Sequence, residues 1–79
     1  MPPLFDFGTA IAALKRGDRV TRFGWNGPGQ WLQLYRPDQL DYLPFVRLST
    51  VQGKRVPWTP SQTDVLAEDW IIMDGTDEA

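Results

Sequence analysis

The sequence predicts an α+β fold: a small antiparallel sheet of about four or five strands with an N-terminal helix and a short C-terminal helix. Three features carry that reading. An apolar stripe at helical spacing lies near the start, short alternating runs separated by turn residues fill the middle, and a helix-start signature precedes the last apolar run. Strand runs joined by tight turns and bracketed by helices fit helices packed on one face of an antiparallel sheet. There is no internal repeat and no low-complexity tract, so residues 1–79 are expected to form a single domain.

The first helix is expected over Phe7 to Arg16. Phe7, Ala10, Ile11 and Leu14 stand at i, i+3, i+4 and i+7, and Asp6 is placed to cap them. Lys15 and Arg16 suit the C-terminal end of the helix dipole, and Gly17 suits a left-handed cap. Gly8, Ala10, Ala12 and Ala13 make a small face that permits close approach to a sheet or a second copy.

Arg19 to Phe23 alternates as a strand, and Gly24-Trp25-Asn26-Gly27-Pro28-Gly29 supplies a turn. Gln30 to Arg36 reads as a second strand, with Trp31, Gln33 and Tyr35 on one face and Leu32 and Leu34 on the other. Both faces carry apolar bulk, which hints at an interface or a ligand surface. A loop from Arg36 leads to a third strand, Phe45 to Val51, and Gln52-Gly53-Lys54 turns the chain back along Arg55 to Trp58. Thr59 as N-cap, Pro60 at the first helical position and Gln62 three residues after the cap predict a helix over about Pro60 to Ala67. Trp70 to Met73 is the last strand, and 74–79 is expected to be a flexible acidic tail.

Composition excludes several chemistries. With no Cys and no His in 79 residues, disulfides, thiolate or histidine metal sites and Ser-His or Cys-His nucleophiles are absent. No metal site and no cofactor is expected. A chain this short buries only roughly 60% of its extended surface, so burial between subunits is the remaining route to extra stability. Residues 1–60 hold all eight bases and four acids, whereas 61–79 hold six acids and no base. A net charge of -2 does not suit a polymeric nucleic-acid binder, whose affinity draws on many phosphates. No stretch approaches the roughly 18 apolar residues of a membrane span, and Met1 to Phe7, with two prolines and an acid, is not expected to act as a signal peptide.

Four groups of residues could carry function. The glycine-rich turn lets backbone approach a bound group, with Trp25 as a flat surface and Asn26 to read a base or ribose edge. It is equally a structural hairpin turn. Ser61, Thr63 and Asp64 surround a helix start suited to an anion or ribose, or else cap their own helix. Trp58 and Trp70 read as core, and Trp25 and Trp31 as stacking surfaces. Arg22 and Arg47 suit phosphate oxygens, or cross-strand pairing with an acid such as Asp64 or Asp69.

These pieces resemble a known family. Phe7-Gly8-x-Ala10-Ile11-x-x-Leu14-Lys15-x-Gly17, Val20-x-Arg22-x-Gly24-Trp25-Asn26-Gly27-x-Gly29 and Val56-Pro57-Trp58-x-x-Ser61-Gln62-x-Asp64-x-Leu66-Ala67-x-Asp69-Trp70 look like the second family of Thoeris anti-defence proteins. The match spans most of residues 7–72, although Arg36 to Phe45 is short and acidic where many relatives have a longer loop. The resemblance implies a non-enzymatic, homotetrameric phage or prophage sponge in the host cytoplasm. It would hold cyclic nucleotide signals, chiefly glycocyclic ADP-ribose and in some members cyclic oligonucleotides, without cleaving them. Ligand contacts would fall on Trp25, Asn26, Ser61 and Thr63, with Arg22, Trp31, Arg47 and Asp64 as further candidates. The alternatives are a phosphodiesterase built on Asp64 and Asp69 with a metal, and a protein-binding module docking through the Trp31 to Tyr35 strand.

Overall fold

A computed structural model describes residues 3–25, 29–38 and 41–73. Its elements are α1 (Phe7–Arg16), β1 (Arg19–Arg22), β2 (Trp31–Tyr35), β3 (Phe45–Ser49), β4 (Arg55–Pro57), α2 (Gln62–Leu66) and β5 (Trp70–Met73). The expected α+β architecture is present, with five antiparallel strands in the order β4-β3-β2-β1-β5. The expected tail at 74–79 lies outside the described residues. No helix among the described residues is long and apolar enough to cross a membrane.

α1 forms where its local signals place it. The Asp6 carboxylate accepts the Thr9 N–H at 2.9 Å, and Gly17 closes the other end at φ 98°. There the Gly17 and Asp18 N–H groups bond to Leu14 and Ala13 carbonyls, each at 3.0 Å, satisfying groups that a helix end otherwise leaves open. Ala10 and Ala13 are fully buried, so the small side chains do bring the helix axis close to the sheet.

Three consecutive hairpins lay down β1 to β4, and the chain then crosses the sheet through α2 to pair β5 with β1 at the far edge. Register assigns the faces: Val20 lies opposite Leu32 and Ile72, Leu32 opposite Leu48, and Leu48 opposite Val56. These side chains point toward α1, where Ala10, Ala13, Leu14, Val20, Leu32 and Trp70 form the core. Phe7, Trp25, Trp58 and Trp70 extend it as a cluster of tilted and edge-on rings with centroids 5.6 to 6.4 Å apart. The opposite face carries Arg19, Trp31, Tyr35, Phe45, Arg47, Arg55, Ile71 and Met73, and among the described residues no helix packs on it. Arg19 lies over the Trp31 ring at 4.6 Å and Arg47 over the Tyr35 ring at 4.3 Å.

α2 differs from expectation. Its N-cap is Ser61, not Thr59, and the helix is shorter than the Pro60 to Ala67 span that the Thr59 signature implied. Ser61 Oγ accepts the Asp64 N–H at 3.1 Å while Asp64 accepts the Ser61 N–H at 2.9 Å, a reciprocal capping box. Two cap registers overlap in Thr59-Pro60-Ser61-Gln62-Thr63-Asp64, and tertiary contacts select the second. The Trp70 indole donates to the Asp64 carbonyl at 3.1 Å, and Arg22 holds the Asp64 side chain. β1 to β4 also end a residue or two earlier than alternation suggested, whereas β5 has the expected bounds; Trp58 still donates to Val46 at 3.0 Å beyond the end of β4.

The two cap registers separate by mutation. Ser61→Ala should cost about 1 kcal/mol and Thr59→Ala less than about 0.5 kcal/mol, read by urea denaturation.

Candidate functional site

The site is built where the β1–β2 turn meets the start of α2. Arg22, the last residue of β1, points to the helix face and is two residues ahead of Gly24. Its Nε donates to Asp69 at 2.8 Å and its Nη1 to Asp64 at 2.9 Å, with a longer contact from Nη2 to Asp69 at 3.4 Å. The second Asp69 oxygen accepts the Gly24 N–H at 2.9 Å. The second Asp64 oxygen accepts from the Ser61 N–H and hydroxyl, at 2.9 and 3.0 Å. Every carboxylate oxygen of the pair thereby accepts at least one hydrogen bond, and Asp64 Oδ1, which accepts from Arg22 Nη1, keeps a second acceptor site.

These contacts set the ionisation. Arg22 holds the Asp69 carboxyl below its ordinary value of 3.8, with the Gly24 N–H adding to the effect against burial. Burial pushes Asp64 upward, but the Ser61 backbone, Arg22, the Ser61 hydroxyl and the Trp25 indole together outweigh it and bring it below 3.8. Asp69, and less strongly Asp64, raise Arg22. Both carboxylates are therefore ionised at neutral pH and face a permanent cation.

Above this network lies a cleft of about 260 Å³ lined by Trp25, Gln30, Leu48, Trp58 and Asp64. Gln30 is set by its carbonyl, which accepts the Thr21 hydroxyl at 2.7 Å. Trp25 and Gln30 also line a second depression of about 380 Å³ on the opposite side, together with Phe23, Trp31, Ile71 and Met73. Trp25 thus forms a wall between the two. A third, of about 400 Å³ between Tyr35, Pro37, Tyr42, Leu43 and Phe45, lies away from both motifs.

The structure brings Arg22, Trp25, Ser61 and Asp64 together and places Thr63 exposed on the first turn of α2. Trp31 and Arg47 are on the other sheet face. Asn26 lies outside the described residues. Arg22 adopts the ion-paired alternative. The Ser61 hydroxyl and the Asp64 N–H are spent on each other. Trp25 packs edge-on against Trp58 at 6.4 Å and Trp70 at 5.6 Å, so it belongs to the aromatic cluster as well as to the cleft. Gln30, Leu48 and Trp58 complete the lining without having been singled out for it; Gln30 is signalled only by following the glycine-rich turn, and Leu48 by nothing local.

The chemistry available is recognition. Indole faces suit a nucleobase, Gln30 offers an amide, and the Asp64 carboxylate accepts from a hydroxyl or amine. Asp64 and Asp69 are turned toward Arg22, which fills the space that a metal shared between them would need. The lining of the cleft holds no cation.

Fold and site together define a small one-sided α+β domain, with an aromatic cleft between a glycine-rich turn and a capped helix. A family model for the Thoeris anti-defense 2-like domain matches residues 5–73. "Thoeris anti-defense 2" of Bacillus phage SP01 is 38% identical over 88 residues, covering 92% of this chain and 99% of that protein. The chain belongs to the Thoeris anti-defense 2-like family.

The depressed carboxylates predict an acid limb. Folded values below the unfolded 3.8 mean that their contribution is complete above roughly pH 5 and is lost as pH falls through the folded values. Urea stability should decline below about pH 4, and Asp64→Asn should be less stable at neutral pH with a flatter acid limb.

Proposed function

We propose that the protein is a non-catalytic anti-defence sponge. It binds a cyclic nucleotide immune signal of the glycocyclic ADP-ribose class in the host cytoplasm and withholds it from its effector. Family membership supplies the anti-defence role. The observation that carries the binding reading is the meeting, at one aromatic cleft, of the Gly24-Trp25 turn and the Ser61-Gln62-x-Asp64 helix start. They lie more than thirty residues apart in sequence. In this reading an indole face of Trp25 takes the base, and Asp64 or Gln30 takes a ribose hydroxyl.

Size and charge argue that assembly completes the pocket. Ligand pockets run to about 300–1,000 Å³, and the cleft holds about 260 Å³. A base stack contributes roughly 1 to 3 kcal/mol, and nanomolar binding needs about 12 kcal/mol net. Phosphates favour cationic donors, which Trp25, Gln30, Leu48, Trp58 and Asp64 do not supply. A second copy of this chain provides both wall and charge, and homo-oligomerisation, as a tetramer, is part of the proposal. The helix-free sheet face supplies apolar area for such contacts, with Phe23 59% exposed at its rim.

Nothing in the cleft supports turnover. The chain has no His or Cys, and Asp64 and Asp69 are engaged by Arg22. The ligand is held and returned unchanged.

Calorimetric titration with glycocyclic ADP-ribose isomers should give saturable binding, and heating the complex should release the ligand intact. Absence of binding to every isomer and to cyclic dinucleotides, or recovery of a cleaved product, would remove this reading. Trp25→Phe, which keeps a ring against Trp58 and Trp70, should weaken binding by about tenfold, near the lower end of a stacking contribution.

A further inference from the structure

We infer that Arg22 and Asp69 are positioning residues for ligand binding: they clamp the Gly24–Trp25 turn to the start of α2, so that the cleft exists before a ligand arrives, and neither touches the ligand. The inference rests on the proposed reading of the cleft and assigns Arg22, which is bonded to Asp64 of its lining, a role other than phosphate binding.

A continuous path of short bonds carries the clamp. The Gly24 N–H reaches Asp69 at 2.9 Å, Asp69 reaches Arg22 at 2.8 Å, Arg22 reaches Asp64 at 2.9 Å, and Asp64 reaches the Ser61 N–H at 2.9 Å. One end of this path is the backbone beside Trp25, and the other is the N-cap of α2. Backbone bonds reinforce the first end: the Phe23 N–H donates to the Asp69 carbonyl at 3.0 Å, and the Trp25 N–H to the Arg22 carbonyl at 3.2 Å. The fit at Gly24 is close enough that a Cβ there would stand 2.9 Å from Asp69 Oδ2, so no larger residue enters without moving the turn or the carboxylate.

Arg22 has little capacity left for a ligand. Its Nε and both terminal nitrogens face carboxylates, and its side chain is only 15% exposed. Swinging it onto a phosphate would leave Asp64 and Asp69 ionised, part-buried and without their cation. A wall fixed in advance also spares the ligand the ordering cost of making it.

The two roles predict opposite signs for one substitution. Asp69→Asn removes a negative charge and loosens Arg22. If Arg22 were a phosphate ligand, binding of an anionic messenger would be unchanged or tighter. If Arg22 and Asp69 are a clamp, binding weakens. Calorimetry with glycocyclic ADP-ribose should show a loss of about tenfold or more in Asp69→Asn, in Arg22→Lys, and in Gly24→Ala, which disturbs the turn without altering charge. Near-ultraviolet circular dichroism of the ligand-free variants should change too, because it reports the edge-on contacts of Trp25 with Trp58 and Trp70. Unchanged or tighter binding by Asp69→Asn would overturn the inference. If that variant does not fold, Gly24→Ala decides: a loss of binding with an altered aromatic spectrum supports the clamp, and wild-type affinity overturns it. Should the unmodified protein bind no messenger, the proposed function fails separately. The aromatic spectra of the variants then judge the clamp alone, altered signals supporting it and wild-type signals overturning it.

Discussion

Arg22 bonded at once to Asp64 and Asp69 is the constraint on which the rest of this structure depends. The three residues come from the end of β1, from α2 and from the segment leading into β5, so their pairing closes contacts 42 and 47 residues apart in sequence. Removing one partner of a fully buried ion pair costs about 3 to 5 kcal/mol, mainly through the charge left behind. Here the side chains keep 13 to 24% of their exposure, so the penalty is smaller. An apolar trio of similar size would stabilise the fold about as well. What the charges add is direction, because a two-armed guanidinium accepts its carboxylates in few arrangements and so fixes the approach of α2 to the turn.

The aromatic cluster is the second consequence of that geometry. Trp70 is fully buried and donates its indole N–H to the backbone of Asp64, the residue whose side chain Arg22 grips. Trp25 and Trp58 lean edge-on against Trp70 from the turn and from the crossover segment. The fully buried core is small, as expected for a chain of 79 residues. Much of its order is therefore carried by large rings that are half buried, and whose outer surfaces form the cleft. Packing and recognition use the same side chains.

Legibility from sequence followed the range of the interaction. α1 was readable to the residue because Asp6, the 3.6-residue stripe and Gly17 act within a few positions of one another. The β1–β2 and β3–β4 hairpins were readable for the same reason, their turns being marked by glycine, whereas the longer β2–β3 connection carries prolines and no glycine. α2 was readable as a helix but not in register, since Thr59 and Ser61 both satisfy the local rules and only Arg22 and Trp70 discriminate between them. Pairing of Arg22 with Asp64 or Asp69 could be named from the sequence but not chosen over phosphate binding, because loop closure of that length has no local sign. Separating Trp25 from Trp58 and Trp70 as a stacking residue rested on its glycine neighbours. The fold places all three in one cluster, because the crossover from β4 to β5 passes over the face where the turn emerges.

That crossover brings together two sequence blocks that lie far apart in this chain. Neither block makes a site by itself: a glycine-rich turn is a common hairpin, and Ser61-x-x-Asp64 spends its polar atoms capping its own helix. Joined by Arg22, they hold an indole, an amide and a carboxylate around one opening, and each keeps the other in place. A substitution in either block therefore reaches the other through Asp69 or Asp64 before it reaches any bound molecule. In a domain with so little buried core, the residues that make the opening and those that make the fold cannot vary independently.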